Sequence, residues 1–255
     1  MIAVFIIAGL VFISLFYTLA QNKRILSYFK DDSVCVFGKK GKGKDILFQY
    51  VIRKQKVRPY SNTQYGDYND LISIKDLQIN NTFANAINEE WRKCDNYKIR
   101  EGADIFISDC GVYLPSQYYS TLDKLYPDLP LFMAVSRHLS DSNVHINTQN
   151  IGRVWDKVRE QCGYFIQAKG TTVIGRLFIT RLVVYDRADV AERGVLPFKP
   201  NRKRRKAEIE AQRLDFVADY GFVKAFRLFQ ILPRDHYDSR FFRKKILAEP
   251  EKPRV

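Results

Sequence analysis

The first feature of the hydrophobic pattern is a long apolar stretch at the start of the chain. From Ile2 to Ala20 no residue is charged. As a helix that rises about 1.5 Å per residue, this stretch spans about 28 Å, close to the hydrocarbon thickness of a bilayer. A cleaved signal peptide is the alternative, but no Lys or Arg precedes the stretch and no small-x-small cleavage site follows it. The pattern therefore predicts a transmembrane anchor at residues 1–22.

The charges that follow the apolar stretch predict its orientation. Lys23, Arg24 and Lys30 lie on its C-terminal side. Positive charge tends to stay on the cytoplasmic side of a membrane. We expect a single-pass protein of the cell membrane whose remaining residues are cytoplasmic.

Beyond the anchor, short apolar runs alternate with segments of helical spacing. The runs at 33–38, 103–109 and 142–149 are typical of buried strands. Helices are predicted in four segments: from Asp45 onward, at 83–94, at 116–139 with breaks at Pro127 and Pro130, and at 151–161. Strands that alternate with helices predict an α/β fold with a mainly parallel sheet and right-handed crossovers. We assign this domain to residues 31–190.

The pattern changes after about residue 163. Residues 163–170 and 171–187 alternate in a way that favours an antiparallel β-hairpin at the end of the domain. A loop with Pro197 and Pro200 follows, and then an amphipathic helix is predicted at roughly 203–219. Residues 191–255 are therefore predicted to form a basic C-terminal helical tail.

Composition supports a folded, basic protein. The chain has 255 residues, of which 46% are hydrophobic and 27% charged, a balance typical of globular proteins. The net charge of +14 is unevenly distributed, because Arg202–Lys206 is an uninterrupted basic run. Three interpretations of this run stay open: a solvated helix start, a site for nucleic-acid phosphates, or a site for anionic lipid head groups.

The cysteines and histidines predict no metal site. Cys35, Cys94, Cys110 and Cys162 are scattered without a C-x-x-C pair, which favours buried thiols in a reducing compartment. The three histidines have no spacing that suits zinc.

A glycine- and lysine-rich turn between the first strand and the first cytoplasmic helix carries the clearest chemistry. It fits G-x-x-x-x-G-K, with Asp in the next position, and we assign as nucleotide-binding Gly38, Lys39, Lys40, Gly41, Lys42, Gly43, Lys44 and Asp45. Glycines let backbone N–H groups approach phosphate oxygens, the final lysine reaches the β- and γ-phosphates, and the helix adds its positive end. The alternative is a surface turn, but the position between a strand and a helix favours a P-loop that binds ATP.

Asp45 departs from the usual P-loop pattern. A Ser or Thr at this position normally places a hydroxyl on Mg²⁺. A carboxylate binds Mg²⁺ well, but it repels phosphate oxygens unless the ion lies between them.

Later motifs add a family resemblance. After the P-loop come YSNT at 60–63, IFISDCGVYLPSQ at 105–117, SRHLSDSNVHINTQN at 136–150 and DKVRE at 156–160. In order and spacing, over about residues 33–185, the chain resembles the zonula occludens toxin-like family, which includes the assembly ATPases of filamentous phages. The resemblance implies a RecA-like P-loop NTPase fold, a homo-oligomer, such as a ring, in the host membrane, and ATP-dependent export of virions that carry single-stranded DNA. Phage coat proteins and this DNA are the implied partners.

The resemblance also implies roles for individual residues. Asp109 takes the position of the carboxylate that orients the attacking water, and Ser108 takes that of the metal-side Asp. We interpret Asp45 and Ser108 as a Mg²⁺ site whose carboxylate and hydroxyl have exchanged elements; the alternative is a degenerate site without hydrolysis. Gln149 matches the family's glutamine near the γ-phosphate.

Two arginines complete the catalytic assignments that the resemblance implies. Arg137 and Arg159 match family arginines, the second with an offset of one residue, and either can act as a finger on a neighbour's nucleotide. Surface salt bridging is the alternative for each. One departure concerns the membrane segment, which here precedes the ATPase domain and in the phage ATPases follows it.

The sequence leaves three functional hypotheses open. The leading hypothesis is a membrane-anchored ATPase that drives assembly and extrusion of filamentous phage. The second is a non-catalytic, nucleotide-binding membrane scaffold of the assembly machinery. The third is a P-loop small-molecule kinase, since some of these enzymes carry Asp after the P-loop lysine.

Overall fold

The computed structural model describes residues 2–77, 99–174, 177–186 and 223–231, with the backbone alone described for residues 2–15. The helices are α1 (Ile2–Asp31), α2 (Lys44–Ile52), α3 (Cys110–Tyr113), α4 (Tyr119–Leu125), α5 (Leu129–Ser140) and α6 (Asp156–Arg159). The strands are β1 (Val34–Phe37), β2 (Tyr60–Ser61), β3 (Asp70–Leu71), β4 (Ile105–Ile107), β5 (Val144–Thr148), β6 (Tyr164–Ile174), β7 (Leu177–Tyr185) and β8 (Val223–Ile231). Short 3₁₀ turns lie at Gly66–Tyr68, Ile74–Leu77, Ser116–Tyr118 and Ile151–Arg153.

The described strands form one sheet in the order β3-β2-β4-β5-β1-β6-β7-β8. Neighbours from β3 to β6 are parallel, whereas β7 is antiparallel to both β6 and β8. The predicted mainly parallel α/β sheet and the predicted hairpin are thus confirmed. Because β1 lies between β5 and β6, the loop that follows β1 opens at the centre of the sheet's carboxyl edge.

The sheet is buried on both faces, as parallel sheets require. Along β1 the side chains alternate: Cys35 and Phe37 belong to one core cluster, while Val34 and Val36 belong to the other. The helices α5 and α6 cover the first face, and α1 and α2 cover the second. The continuous apolar run of β1 is explained by this burial on two sides.

Three of the predicted buried cysteines lie in the first cluster. Cys35, Cys110 and Cys162 are free thiols and are buried in this cluster. Burial raises the pKa of each of these thiols above its ordinary value. They are therefore poor nucleophiles at neutral pH.

The C-terminal half of α1 is part of the domain. Ile25 and Phe29 are buried in the second cluster. The Asn22 side chain donates to the carbonyl oxygen of Phe229 at 2.6 Å and accepts from its backbone N–H at 3.1 Å. None of the helices in the described part of the chain is long and apolar enough to cross a membrane. The predicted transmembrane anchor at residues 1–22 is not confirmed, and it stays a prediction.

Two stretches differ from the sequence prediction. Residues 223–231, assigned to a helical tail, form β8, which extends the sheet through full pairing with β7. The predicted continuous helix at 151–161 is interrupted, because Val154 bridges Pro115 and the backbone N–H of Trp155 donates to the carbonyl oxygen of Leu114 at 2.9 Å. The buried Trp155 ring is held in the core by this extended segment.

One further prediction agrees with the structure, and several others concern residues that the structure does not describe. The predicted break near Pro127 and Pro130 is confirmed, since α4 ends at Leu125 and α5 begins at Leu129. The predicted helices at 83–94 and 203–219, the basic run Arg202–Lys206 and Cys94 lie outside the described residues.

Candidate nucleotide site

The P-loop connects the end of β1 to the start of α2. Gly38, Gly41 and Gly43 have φ values of 147°, 74° and 101°, which favour glycine. A Cβ on Gly38 would lie 2.5 Å from the carbonyl oxygen of Ala168, and a Cβ on Gly43 would overlap Oγ1 of Thr171. The loop therefore needs glycine both for its backbone conformation and for close packing against β6.

The helix that follows the loop is placed to receive an anion. Lys44 is the first residue of α2 and is only 5% exposed. The backbone N–H of Leu47 donates to the carbonyl oxygen of Gly43 at 3.0 Å, which begins the helical hydrogen bonding. N–H groups in the first turn of a helix have no partner within the helix and attract phosphate. The remaining loop lysines, Lys39, Lys40 and Lys42, are exposed.

Asp45 and Ser108 meet across the carboxyl edge of the sheet. Nδ2 of Asn147 lies 3.0 Å from Oδ1 of Asp45 and 3.5 Å from Oγ of Ser108. The hydroxyl oxygen of Tyr65 lies 2.5 Å from Oγ of Ser108, and the Tyr65 side chain also hydrogen-bonds Asp45. An arrangement in which Ser108 donates to Tyr65 and Tyr65 donates to Asp45 satisfies these contacts. The two residues that the sequence assigned to Mg²⁺ thus belong to one hydrogen-bonded cluster.

The surroundings of Asp45 disfavour its charge. Burial raises the pKa of its carboxyl group, Lys44 lowers that pKa, and the nearby Asp109 raises it again. The hydrogen bonds from Asn147 and Tyr65 lower it by smaller amounts. The net result is a pKa above the ordinary value, which an added cation beside the carboxylate would reverse.

Asp109 is held in an unusual backbone conformation. Its φ of 51° and ψ of 40° lie in the left-handed region, which few residues other than glycine adopt. Its backbone N–H donates to Oδ1 of Asn147 at 2.8 Å, and its carbonyl oxygen accepts from the N–H of Val112 at 2.8 Å. Strain of this kind is concentrated at functional sites, where the surrounding contacts enforce it.

The contacts around Ser108 and Asp109 come from residues that the sequence analysis missed. Asn147 links Asp45, Ser108 and Asp109 through one amide. Asn62 donates to the carbonyl oxygen of Ser108 at 3.0 Å and accepts from its N–H at 2.7 Å. A polar Asn inside the buried strand 142–149 was the signal for Asn147, and the YSNT motif contained Asn62. Nothing in the sequence pattern pointed to Tyr65.

The other predicted site residues are not all brought together. Gln149 directly follows β5 at the carboxyl edge and is exposed. Nη1 of Arg137 donates to the carbonyl oxygen of Asp31 at 3.1 Å, which places Arg137 at the opposite, amino edge. Arg159 ends α6 and acts electrostatically on Cys35, near the start of β1. These contacts are made with Asp31 and Cys35 and not with the P-loop, so the role of both arginines as fingers toward a neighbour stays a prediction.

The donor chemistry of the cluster fits Mg²⁺. This ion takes oxygen ligands, keeps several waters and is held by one or two protein groups together with substrate phosphates. Asp45 supplies a carboxylate directly after the P-loop lysine, and Ser108 supplies a buried hydroxyl oxygen in the same cluster. These two side chains would hold the ion, and Asn147 would orient the carboxylate.

Several solved structures of other proteins are similar to this one. The structure is similar to the N-terminal domain of zonular occludens toxin from Neisseria meningitidis, with 12% identity, a TM-score of 0.43, and coverage of 81% of this chain and 99% of that one. It is also similar to the genome packaging NTPase B204 of Sulfolobus turreted icosahedral virus 2 in complex with ATP-gammaS, with 15% identity, a TM-score of 0.37, and coverage of 62% and 93%.

A third similar structure is the DNA-packaging ATPase B204 from Sulfolobus turreted icosahedral virus, with 14% identity, a TM-score of 0.37, and coverage of 80% and 98%. No family model and no curated protein matches the sequence. The first of these structures is itself a zonular occludens toxin domain, and the order of the sequence motifs resembles the zonula occludens toxin-like family.

Proposed function

We propose that this chain is a Mg²⁺-dependent ATPase that drives the assembly and extrusion of filamentous phage. The observation that carries the ATPase proposal is the convergence at one sheet edge of the P-loop, with its buried Lys44, and the cluster of Asp45, Ser108 and Asn147. A phosphate site and a cation site side by side are what cleavage of a nucleoside triphosphate requires.

Each element of the site has a role in the proposed reaction. The loop N–H groups and Lys44 would bind the β- and γ-phosphates. Bound Mg²⁺ would neutralise charge on the phosphate oxygens. Asp109, held by Asn147 through its backbone, would accept a hydrogen bond from the attacking water and orient it toward the γ-phosphate. Gln149, exposed at the same edge, would contact the γ-phosphate.

The phage role rests on the sequence resemblance. The P-loop, the Asp109-Cys110-Gly111 motif and Gln149 occur in the order found in that family. A homo-oligomer, phage coat proteins and single-stranded DNA are accordingly proposed as partners. The net charge of +14 suits contact with a polyanion such as DNA.

We also propose that the N-terminal stretch associates with the inner membrane and that the ATPase domain is cytoplasmic. The uncharged stretch Ile2–Ala20 and the basic residues after it support this topology. A reporter fused after Val255 should be active only in its cytoplasmic form. Activity of a periplasmic reporter at this position would contradict the proposal.

An ATPase assay on the detergent-solubilised full chain tests the central proposal. Lys44→Ala should lower Mg²⁺-dependent turnover by about 100-fold or more, since it removes a charged contact to the transferring phosphate. Lys54→Ala is the matched control, because this exposed lysine follows the other end of α2 and its loss changes the net charge equally. Equal turnover in the two variants would show that Lys44 takes no part.

A nucleotide-binding scaffold without hydrolysis is the second candidate. The partly buried Asp45 carboxylate, which already accepts hydrogen bonds from Asn147 and Tyr65, is the observation that favours it. In that case the full chain would bind ATP, and Lys44→Ala would weaken this binding. The chain would release no phosphate from the bound ATP. Titration with a fluorescent ATP analogue beside the turnover assay separates the two candidates.

A further inference from the structure

The direction of α1 relative to β8 shows where the apolar N-terminal half leaves the domain. Tyr28 stacks edge-on against Phe226 with 5.8 Å between ring centroids, and Asn22 pairs with the backbone of Phe229. The later residue of α1 contacts the earlier residue of β8, and the earlier residue of α1 contacts the later one. The two elements are therefore antiparallel. The N-terminal half of α1 points past the end of β8 at Ile231.

The length of α1 carries it well beyond the sheet. Strand β8 ends at Ile231, about 7 Å beyond Phe229. The helix from Asn22 back to Ile2 spans about 30 Å. Most of this segment thus extends away from the sheet. Among its described side chains, Phe16, Tyr17 and Leu19 are 69%, 54% and 52% exposed to solvent.

The β6–β7 hairpin extends from the same end of the molecule. Thr171 and Thr180 lie against the P-loop at Gly43, where Oγ1 of Thr171 donates to the carbonyl oxygen of Lys42 at 3.3 Å. Beyond this contact β6 continues from Thr171 to Ile174, about 10 Å further. Ile174 at the end of β6 pairs with Leu177, and Leu177 pairs with Ile231 at the end of β8. The hairpin tip and the end of β8 therefore lie at the same end of the sheet, and α1 projects beyond this end.

The described residues that precede the hairpin turn are apolar and exposed. Val173 and Ile174 are 55% and 62% exposed, although both are aliphatic. Basic side chains are exposed on the neighbouring elements: Lys39, Lys40 and Lys42 in the P-loop, and Lys23 and Arg24 on α1. An apolar tip with a basic surround is the arrangement by which proteins enter an anionic lipid interface.

We propose that the hairpin tip, Val173 and Ile174, docks on an anionic lipid surface beside the N-terminal half of α1. This inference extends the proposed membrane association of α1, on which it rests, and adds a second contact. Two contacts would hold the domain in one orientation, with the P-loop facing the membrane. The basic surround favours an anionic surface over a second copy of this basic chain.

A fluorescence experiment on the full chain tests the proposal. Cys94→Ser removes the cysteine outside the described residues, and Cys35, Cys110 and Cys162 are buried. Into this background Ile174→Cys, Leu19→Cys and Lys54→Cys are introduced singly and labelled with an environment-sensitive fluorophore. Lys54 is exposed at the amino edge, away from the tip, and serves as the control. Each protein is reconstituted with vesicles of phosphatidylethanolamine and phosphatidylglycerol.

Labels at positions 174 and 19 should shift to shorter emission wavelength and be quenched by lipid-borne nitroxide, while the label at 54 should do neither. Quenching at 19 without quenching at 174 would overturn the hairpin proposal and leave the membrane association of α1 intact. Quenching at neither position would overturn both. Shielding of position 174 without vesicles, rising with protein concentration, would assign the tip to contact between copies and overturn the lipid proposal.

A second variant tests the apolar contact without a label in the hairpin. Val173→Asp with Ile174→Asp places two charges at exposed positions, where the fold tolerates them. Quenching of the label at 19 should persist in this variant. The domain should lose its fixed orientation, which is measured as faster protease cleavage between Val173 and Leu177 on vesicles. Cleavage as slow as in the parent protein would contradict the proposal.

Discussion

Nδ2 of Asn147 donates a hydrogen bond to Oδ1 of Asp45 at 3.0 Å, from the middle of the sheet to the residue after the P-loop lysine. The same side chain accepts a hydrogen bond from the backbone N–H of Asp109. One buried amide thus fixes the position of Asp45, the proposed Mg²⁺ ligand, relative to Asp109, which is proposed to orient the attacking water.

Asn147→Ala should lower Mg²⁺-dependent turnover by about 10- to 100-fold, because the groups that orient a metal ligand contribute on this scale. The free energy of unfolding should also fall by about 1–3 kcal/mol, since the partly buried N–H of Asp109 loses its acceptor. Asn143→Ala is the control: Asn143 precedes the same strand and donates to the carbonyl oxygen of Lys30 at 3.2 Å, at the amino edge. This control should lose stability but keep turnover per folded molecule; equal loss of turnover in both variants would contradict the role of Asn147.

Asp45→Asn should stabilise the nucleotide-free protein at neutral pH. The pKa of Asp45 is raised in the folded state, chiefly by burial, so the folded protein binds this proton more tightly than the unfolded chain does. Stability from this group is therefore present below the unfolded pKa, about 3.9, and is lost as pH rises through the higher folded pKa. The melting temperature of the variant should exceed that of the parent at pH 7, and the difference should shrink as the pH approaches 4. A difference that does not vary with pH would contradict this explanation.

The exchange of Asp45 and Ser108 can be tested by reversing it. Each of Asp45→Ser and Ser108→Asp alone should impair Mg²⁺-dependent turnover. The double variant should retain more activity than the product of the two single defects predicts, because residues that share one ion are energetically coupled. Single variants that behave like the parent would show that the site does not hold Mg²⁺ in this way. Turnover that appears only in the double variant would favour the scaffold.

Gly43→Ala should disrupt the P-loop more than Gly41→Ala does. Both positions have positive φ, which costs an alanine about 1–2 kcal/mol. A Cβ on Gly43 would also overlap Thr171 and approach Cγ2 of Thr180 to 2.9 Å, whereas nothing lies within 4 Å of a Cβ on Gly41. The additional loss in the free energy of unfolding should be about 1–3 kcal/mol. Adding Thr171→Ala should restore part of it, and failure to do so would place the strain elsewhere.

The sequence alone was sufficient for elements whose signal is continuous along the chain. The P-loop between β1 and α2 was predicted because the glycines, the lysine and the flanking apolar runs are adjacent. The hairpin β6–β7 was predicted because alternation over two neighbouring stretches indicates an antiparallel pair. In contrast, β8 was missed, because its alternating Phe226 and Leu228 lie far in sequence from their partner strand β7.

Only the tertiary structure shows which residues come together in the site. The sequence named Asp45, Ser108 and Asp109, since each ends or follows a recognisable element, but it placed Arg137 and Arg159 by motif position and not by distance. The strand order β4-β5-β1 decides that Asn147 reaches both Asp45 and Asp109 and that Arg137 lies at the opposite edge. Pairing between strands depends on crossovers and on burial across the whole sheet, which local spacing does not encode, so only the folded chain brings these distant side chains within hydrogen-bonding reach.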